Sequence, residues 1–320
     1  MTPDALATLQ HHLLTALNPV TDETRRLFHG RGRVWPGLEH ITVDWMQGVV
    51  LVSLFKEPLS AELSALTQQL MALTRSPEWQ KSQAHTLLLQ HRYLPDSSTQ
   101  CLLGEMVDEW VITEHHLRYK VDFGKKQNSG LFLDMRYGRE WVRSQARGKR
   151  VLNLFAYTCG FSVAAIAGGA DHVVNLDMAK AALNRGRENH RLNGHDLSRV
   201  SFLGHDLFKS WAKVTRSGPY DLIIIDPPSF QKGSFMLDKD YQRVLRRLPE
   251  LLTEDGSVLA CMNDPAVGPE FLIQHTAIEA PDLRFEQRLE NPPEFPDARI
   301  DGGLKALVFK AGGKPRAGWA

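Results

Sequence analysis

The chain has 320 residues, of which 42% are hydrophobic and 23% are charged, and its formal net charge at pH 7 is +1. This composition is ordinary for a soluble protein, and the chain is long enough for one large domain or two. Because the chain is nearly neutral, any binding to nucleic acid has to come from local basic patches.

The cysteines and the N-terminus narrow the class further. Cys101, Cys159 and Cys261 are far apart and form no CxxC pair, so they indicate neither a disulfide framework nor a zinc site. The histidines show no metal-ligand spacing, and we predict no metal site. MTPDALATLQHHLL lacks the basic start of a signal peptide, and no stretch reaches the roughly 18 apolar residues of a membrane span. We therefore expect a cytoplasmic protein.

Residues 1–120 predict a small N-terminal α/β domain, an α+β unit with a possible role in RNA binding. The pattern of residues 3–18 is that of an amphipathic helix, and residues 41–57 alternate like a hairpin with Gln47-Gly48 at the turn. A helix is expected over residues 60–76 and a strand over residues 85–94. Residues 123–142 are expected to link this domain to the next and to contribute to its site.

Residues 121–320 predict a second, larger domain with a regular alternation of elements. Apolar runs typical of buried strands occupy residues 151–155, 172–177, 199–206, 220–226, 257–263 and 304–310. Helical patterns lie between them at residues 161–170, 178–194 and 240–256, with Pro249 as an expected break. This alternation predicts an α/β fold with a doubly wound, mostly parallel, Rossmann-like sheet.

Carboxylates follow three successive strands of this predicted sheet: Asp177, Asp206 and Asp226. One such residue could simply cap the next helix. Three at corresponding strand ends indicate a ligand site instead, because open parallel sheets bind ligands beyond the carboxyl ends of their strands.

The loop after the first strand, LFAYTCGFS, indicates which ligand this is. It contains one glycine, Gly160, whereas a dinucleotide fingerprint needs G-x-G-x-x-G to approach a pyrophosphate. The loop therefore favours a nucleoside ligand without phosphate, such as S-adenosyl-L-methionine. Asp177 lies 22 positions beyond Phe155, which suits the ribose hydroxyls, and Asp206 could accept from the adenine amino group.

The stretch DLIIIDPPSF (221–230) predicts the site of the methyl acceptor. Pro227 and Pro228 fix the backbone after Asp226 and remove two N–H donors, which leaves a rigid turn rich in acceptors. A planar base could stack on Phe230 and donate from its edge to the turn. The alternative is a helix start with proline at its first position. We predict that Asp226, Pro227, Pro228 and Phe230 are the catalytic residues.

Several of these segments resemble a known family. VLNLFAYTCGFSVAAIAGGA, NLD and DPPSF resemble class I S-adenosylmethionine-dependent methyltransferases. SGLFLDMR (129–136) resembles the G-x-F-L-D-x-R lead-in of bacterial ribosomal RNA methyltransferases that act on cytosine carbon 5 or guanine N7 of the large subunit. RLFHGRGRVWPGLEHITVDW (26–45) resembles the small domain of that family. The resemblance covers residues ~25 to 310.

The resemblance implies S-adenosyl-L-methionine as cofactor and ribosomal RNA as partner. Arg136 and Asp134 either approach the methionine end of the cofactor or brace the linker. Several relatives carry a PUA domain at the N-terminus, and we expect none here, since one helix precedes residue 25. The residues expected to contact the cofactor are Phe155, Tyr157, Thr158, Gly160, Asp177, Met178, Asp206, Leu207, Asp226 and Arg136.

The target atom is predicted from the cysteines. Cytosine carbon 5 needs a thiolate that adds to the ring, whereas a guanine nitrogen needs positioning alone. The family's cysteine position matches Asn263, and Cys261 lies inside an apolar strand. We therefore predict transfer to a guanine nitrogen of 23S ribosomal RNA, with cytosine carbon-5 transfer as the alternative. DNA or a protein amide as target, and an assembly factor that binds the cofactor with little catalysis, also remain open.

Two basic clusters are candidates for contact with RNA phosphates, although a solvated face is the simpler interpretation of each. The first cluster flanks Trp35 and consists of Arg25, Arg26, His29, Arg31 and Arg33. The second consists of Lys125, Lys126, Arg139, Arg143, Arg147, Lys149 and Arg150.

Overall fold

The computed structural model describes residues 1–18, 21–124, 128–228, 230–231 and 235–312, with four of them (Phe230, Gln231, Phe235 and Asp238) described by their backbone alone. These residues form two compact units. The first comprises Met1–Leu133 with Pro292–Ile300, and the second comprises Asp134–Asn291 and the chain from Asp301 onward. The division falls after Leu133, whereas the sequence-based boundary lies after residue 120.

The first unit contains α1 (Pro3–Ala16), β1 (Arg25–His29), β2 (Ile41–Met46), β3 (Val49–Leu54), α2 (Ser60–Leu73), α3 (Pro77–Ser82), β4 (Thr86–His91), β5 (Thr99–Leu103), β6 (Glu109–Glu114) and β7 (Leu117–Asp122). Its described part is built on a five-stranded sheet with the strand order β1-β2-β3-β4-β5. β3 and β4 run parallel, and the other neighbouring pairs are antiparallel. Strands β6 and β7 form a separate hairpin.

Helix α1 shows how local sequence sets these elements. Thr2 caps the helix by accepting from the Ala5 N–H at 3.2 Å, and Pro3 occupies the first turn, where its missing N–H costs nothing. Leu9 and Leu13 recur at helical spacing and are buried in the core of this unit. The predicted helix over residues 3–18 and the hairpin with Gln47-Gly48 at its turn are confirmed.

The second unit contains α4 (Arg136–Gln145), β8 (Arg150–Leu154), α5 (Gly160–Ala167), β9 (His172–Asp177), α6 (Lys180–Leu192), β10 (Val200–Gly204), α7 (Trp211–Arg216), β11 (Tyr220–Ile225), β12 (Phe230–Gln231), β13 (Phe235–Met236), α8 (Leu237–Leu245), α9 (Leu248–Leu251), β14 (Leu252–Met262), α10 (Glu270–Glu279), β15 (Leu283–Leu289) and β16 (Lys305–Ala311). The large sheet has the order β10-β9-β8-β11-β14-β16-β15. Its first five strands are parallel, and β16 is antiparallel to both of its neighbours. The predicted doubly wound, mostly parallel α/β fold with a smaller N-terminal α+β unit is confirmed.

Four details of this unit differ from the sequence-based expectation. The helix expected over residues 240–256 is broken near Pro249, and it ends at Leu251. Residues 253–256 form a bulge in β14. Tyr220 pairs with Leu252, whereas Leu222, two residues further along β11, pairs with Ser257. β15 was not predicted, since its mostly exposed LRFEQRL has no apolar run. Helix α4 was expected to be part of a linker.

None of the helices in the described part of the chain combines the length and hydropathy needed to cross a membrane.

Candidate functional site

The site lies where the winding of the large sheet reverses. From β8 the chain continues to β9 and β10 on one side, and it then returns to β11 on the other side of β8. Ile225 pairs with Leu154, so β8 and β11 end at the same level. The loops that leave these two strands diverge to opposite faces of the sheet, which opens a crevice at their carboxyl ends.

The loop after β8 has an unusual backbone. Phe155, Tyr157 and Cys159 all have positive φ angles, of 57°, 48° and 62°, which non-glycine residues rarely adopt. The Tyr157 N–H donates to a carboxylate oxygen of Asp177 at 2.8 Å, and Asn189 donates to the Thr158 carbonyl at 3.0 Å. These bonds hold the strained loop in place, and strain of this kind clusters at ligand sites.

Asp177 is the last residue of β9 and is held by the backbone on both sides. One carboxylate oxygen accepts from Tyr157 and the other accepts from the Ala179 N–H at 2.7 Å. A carboxylate has about four acceptor positions, so these two bonds leave capacity for hydroxyl donors. Asp177 is half-buried, and Met178 next to it is 50% exposed. This arrangement suits the ribose of an adenosine ligand.

Asp206 and Leu207 follow β10 at the same edge, because Gly204 pairs with Asp177. The Asp206 carboxylate caps a short turn by accepting from the Phe208 N–H at 2.9 Å. The Leu207 side chain is 3% exposed and packs in the core, so a contact with a ligand would have to come from its backbone. Gly160 is the first residue of α5 and lies at the start of the loop's helix.

The turn after β11 forms the other half of the crevice. Asp226 is half-buried, Pro227 is buried and Pro228 is exposed. Burial and repulsion from Asp134 raise the pKa of Asp226 to about 7, and the cation of Arg139 opposes this shift. A carboxyl group whose pKa is close to neutral pH can either accept or hold a proton, which is the property expected of an acid–base residue. Ser229 and the Phe230 side chain lie outside the described residues, so stacking on Phe230 stays a prediction.

Asp134 and Arg139 were not predicted to face Asp226. Asp134 lies in a short helical turn before α4, and the Asn263 amide donates to its carboxylate at 3.5 Å. Asn263 follows β14, the strand next to β11. Asp134 therefore lies beside the carboxyl ends of both strands, at the acceptor side of the crevice. Arg139 is 4% exposed and belongs to this cluster, not to an RNA-facing patch. Arg136 begins α4 and is half-buried; its predicted contact with the cofactor stays a prediction.

Tyr241 of α8 fixes the turn from beneath. Its hydroxyl is fully buried and lies 3.0 Å from the Cys261 carbonyl and 3.4 Å from the Ile225 carbonyl. These carbonyls precede the polar ends of β14 and β11. The buried hydroxyl therefore locks the two strand ends that carry Asn263 and Asp226, a role that no sequence pattern indicated.

The cysteines are poorly placed for covalent catalysis. Cys261 and Cys159 are fully buried, and burial raises the pKa of both thiols. Cys101 lies on β5 of the first unit. No cysteine therefore provides a ready thiolate at the described part of the acceptor turn.

In each predicted basic cluster, some residues are engaged within the protein or lie away from the crevice. In the first, Arg26 is 13% exposed and pairs with Asp44 at 2.5 Å, and Arg25 donates to the Ala16 carbonyl. In the second, Arg150 begins β8 at the amino edge of the sheet, opposite the crevice. Lys125 and Lys126 lie outside the described residues.

The described residues contain no group of three or more His, Cys, Asp or Glu side chains that could hold a metal ion. The donor set at the crevice, a strand-end carboxylate beside a single-glycine loop, fits an adenosine ligand instead.

Comparison with known proteins supports this interpretation of the site. Residues 25–310 match the family model of the S-adenosylmethionine-dependent methyltransferases. Ribosomal RNA large subunit methyltransferase I of Aeromonas salmonicida is 32% identical over 203 residues, which are 63% of this chain and 51% of that protein. Methyltransferase K/L of the ribosomal RNA large subunit from a Psychrobacter species is 37% identical over 155 residues, which are 46% of this chain and 19% of that protein.

A solved structure described as a methyltransferase complexed with SAH, SMU.776, superimposes with a TM-score of 0.78 and 26% sequence identity. The match covers 96% of this chain and 78% of that one. The chain thus spans about half or less of the two curated relatives but most of this structure. The fold, the crevice and the family match agree, and the expected cofactor, S-adenosyl-L-methionine, is confirmed: the chain belongs to the S-adenosylmethionine-dependent methyltransferase family.

Proposed function

We propose that this protein methylates a base of large-subunit ribosomal RNA in the cytoplasm, at a guanine nitrogen. The named relatives that modify large-subunit ribosomal RNA support the choice of substrate. The choice of a nitrogen rests on one observation. The acceptor side of the crevice offers the carboxylates of Asp226, in the turn after β11, and of Asp134, whereas Cys261 is fully buried.

The acceptor side suits a base edge rich in N–H groups. Asp226 and the carbonyls before the two prolines accept hydrogen bonds, and Asp134 adds a second carboxylate beside them. The Watson–Crick edge of guanine presents such donors, whereas cytosine carbon 5 presents a C–H. The cofactor, when bound, supplies an electrophilic methyl group on a sulfonium.

The protein itself has two tasks. It holds the base in line with the methyl group of the cofactor, and it accepts one proton from the base. Orientation lowers the barrier to methyl transfer, because it replaces a bimolecular encounter by a fixed geometry. A base nitrogen that gains a methyl group can lose a proton, and Asp226, with its pKa raised to about 7, is placed to accept it.

Mass spectrometry of ribosomal RNA tests this proposal. RNA from a strain without the gene should lack one methyl mark, and the purified protein with S-adenosyl-L-methionine should restore it on a guanine nitrogen. A restored mark on cytosine carbon 5, with a covalent adduct trapped by 5-fluorocytidine, would overturn the choice of atom. Intact marks in the deletion strain would overturn the choice of substrate.

A further inference from the structure

The first unit carries a basic and aromatic cluster that the sequence did not show. The guanidinium carbon of Arg31 lies 4.3 Å from the centre of the Phe55 ring, and that of Arg92 lies 4.7 Å from it. Lys56, which follows Phe55, is exposed. We call Arg31, Phe55, Lys56 and Arg92 the Phe55 surface.

The sheet explains why these distant residues meet. β3 and β4 are parallel neighbours, and Leu54 pairs with His91. Phe55 follows Leu54 and Arg92 follows His91, so the two residues leave the ends of adjacent strands side by side. The Arg92 guanidinium is also oriented by a 2.9 Å hydrogen bond to the Asn128 side chain.

The turn that presents Arg31 is held from two sides by close packing. A Cβ atom at Gly30 would collide with the carbonyl of Leu38, and one at Gly32 would collide with the carbonyl of Pro296. The Gly32 carbonyl accepts from the Ala298 N–H at 2.7 Å. Only glycine fits at these two positions, so the backbone fixes the exposed Arg31 at this place.

The structure also removes the other candidates of the first basic cluster. Arg26 is engaged with Asp44, and burial with the nearby arginine cations lowers the pKa of His29 to about 3, so this ring stays neutral. Trp35 packs on Phe28, with ring centres 4.7 Å apart. Arg31 and Arg33 remain exposed.

We propose that the Phe55 surface binds a single-stranded segment of the RNA substrate. Guanidinium groups bind phosphate, and the same planar groups stack on unpaired bases. Double-stranded RNA would offer phosphates but no exposed base faces. The proposal rests on the proposed function in one respect, namely that the substrate is RNA.

The test compares RNA binding by the full-length protein and four variants. The probe is a short fluorescein-labelled RNA of mixed sequence, single-stranded or annealed to its complement. Arg31→Gln and Arg92→Gln remove one charge each, and Phe55→Leu removes the ring. Arg75→Gln, at an exposed arginine after α2, is the matched charge control.

We expect each arginine variant to bind the single strand about tenfold more weakly and to lower the slope of log affinity against log salt by roughly 0.7. Phe55→Leu should weaken binding about tenfold at an unchanged salt slope, because it removes the ring that orients both guanidinium groups but leaves their charges in place. Arg75→Gln should match the parent protein. All variants should keep the parent affinity for S-adenosylhomocysteine, which shows that they are folded.

Three outcomes would overturn the proposal, and they can be told apart. If the parent protein binds and methylates RNA while Arg31→Gln, Arg92→Gln and Phe55→Leu bind like it, the Phe55 surface is not the binding site. Equal affinity for single strand and duplex also contradicts the proposal. If the parent protein neither binds nor methylates RNA, the proposed function fails together with this inference.

Discussion

Asp177 and Asp226 occupy equivalent positions at the carboxyl ends of two strands, yet their surroundings differ. Asp177 is half-buried and accepts two backbone N–H groups. Asp226 lies beside a second carboxylate, Asp134, with Arg139 as the opposing cation, and its pKa is raised to about 7. We therefore expect the same residue type to serve two tasks: Asp177 offers acceptors that backbone N–H groups hold in place, and Asp226 can take up a proton near neutral pH.

The two halves of the crevice are thus built in different ways. The half that we expect to hold the cofactor uses backbone geometry: three positive-φ residues and a carboxylate that accepts from backbone N–H groups. The acceptor half uses side-chain electrostatics, supported from below by the buried hydroxyl of Tyr241. Substitutions in the first half should therefore act on cofactor binding, and those in the second half should act on turnover.

Asp226→Asn should have the largest effect. It keeps the size of the side chain but removes the proton acceptor, so methyl transfer at saturating cofactor should fall by about 100-fold or more. The affinity for S-adenosylhomocysteine, measured by calorimetry, should change little. A variant with the parent turnover number would show that Asp226 neither orients the base nor takes its proton.

Asp177→Asn should have a smaller effect, confined to the other half. A hydrogen bond to a charged group contributes about 1.5–3 kcal/mol, so affinity for S-adenosylhomocysteine should fall about 10- to 100-fold. Asp196→Asn is the matched control, because Asp196 also accepts a backbone N–H, from Ser198 at 2.9 Å, but is exposed. An unchanged dissociation constant for Asp177→Asn would show that Asp177 does not contact the ribose.

Cys261→Ala should have the smallest effect on activity. The thiol is buried in β14, so its loss should cost stability of about 1 kcal/mol and leave the turnover number near that of the parent. Turnover and thermal unfolding measured on the same preparation separate the two effects. Loss of activity together with loss of a 5-fluorocytidine adduct would return Cys261 to a catalytic role.

The sequence predicted the fold well because strand and helix patterns in the second unit are local. LIII before Asp226 and the single-glycine loop after β8 identified the edge of the sheet that forms the crevice. The partners of Asp226 could not be predicted in this way, since Asp134 and Arg139 come from a segment expected to be a linker. The meeting of Phe55 and Arg92 depends on the parallel pairing of β3 with β4, which no local pattern reveals.

The pH dependence of methyl transfer tests the central claim most directly. With the pKa of Asp226 at about 7, the group is protonated below that pH and cannot accept from the base, so the rate at saturating substrates should rise with pH through a midpoint near 7. Asp134→Asn removes a repulsion that raises the pKa of Asp226, so the midpoint of this variant should lie at a lower pH. A rate that is independent of pH over the range in which the protein stays folded, or a midpoint that Asp134→Asn leaves unchanged, would contradict the account.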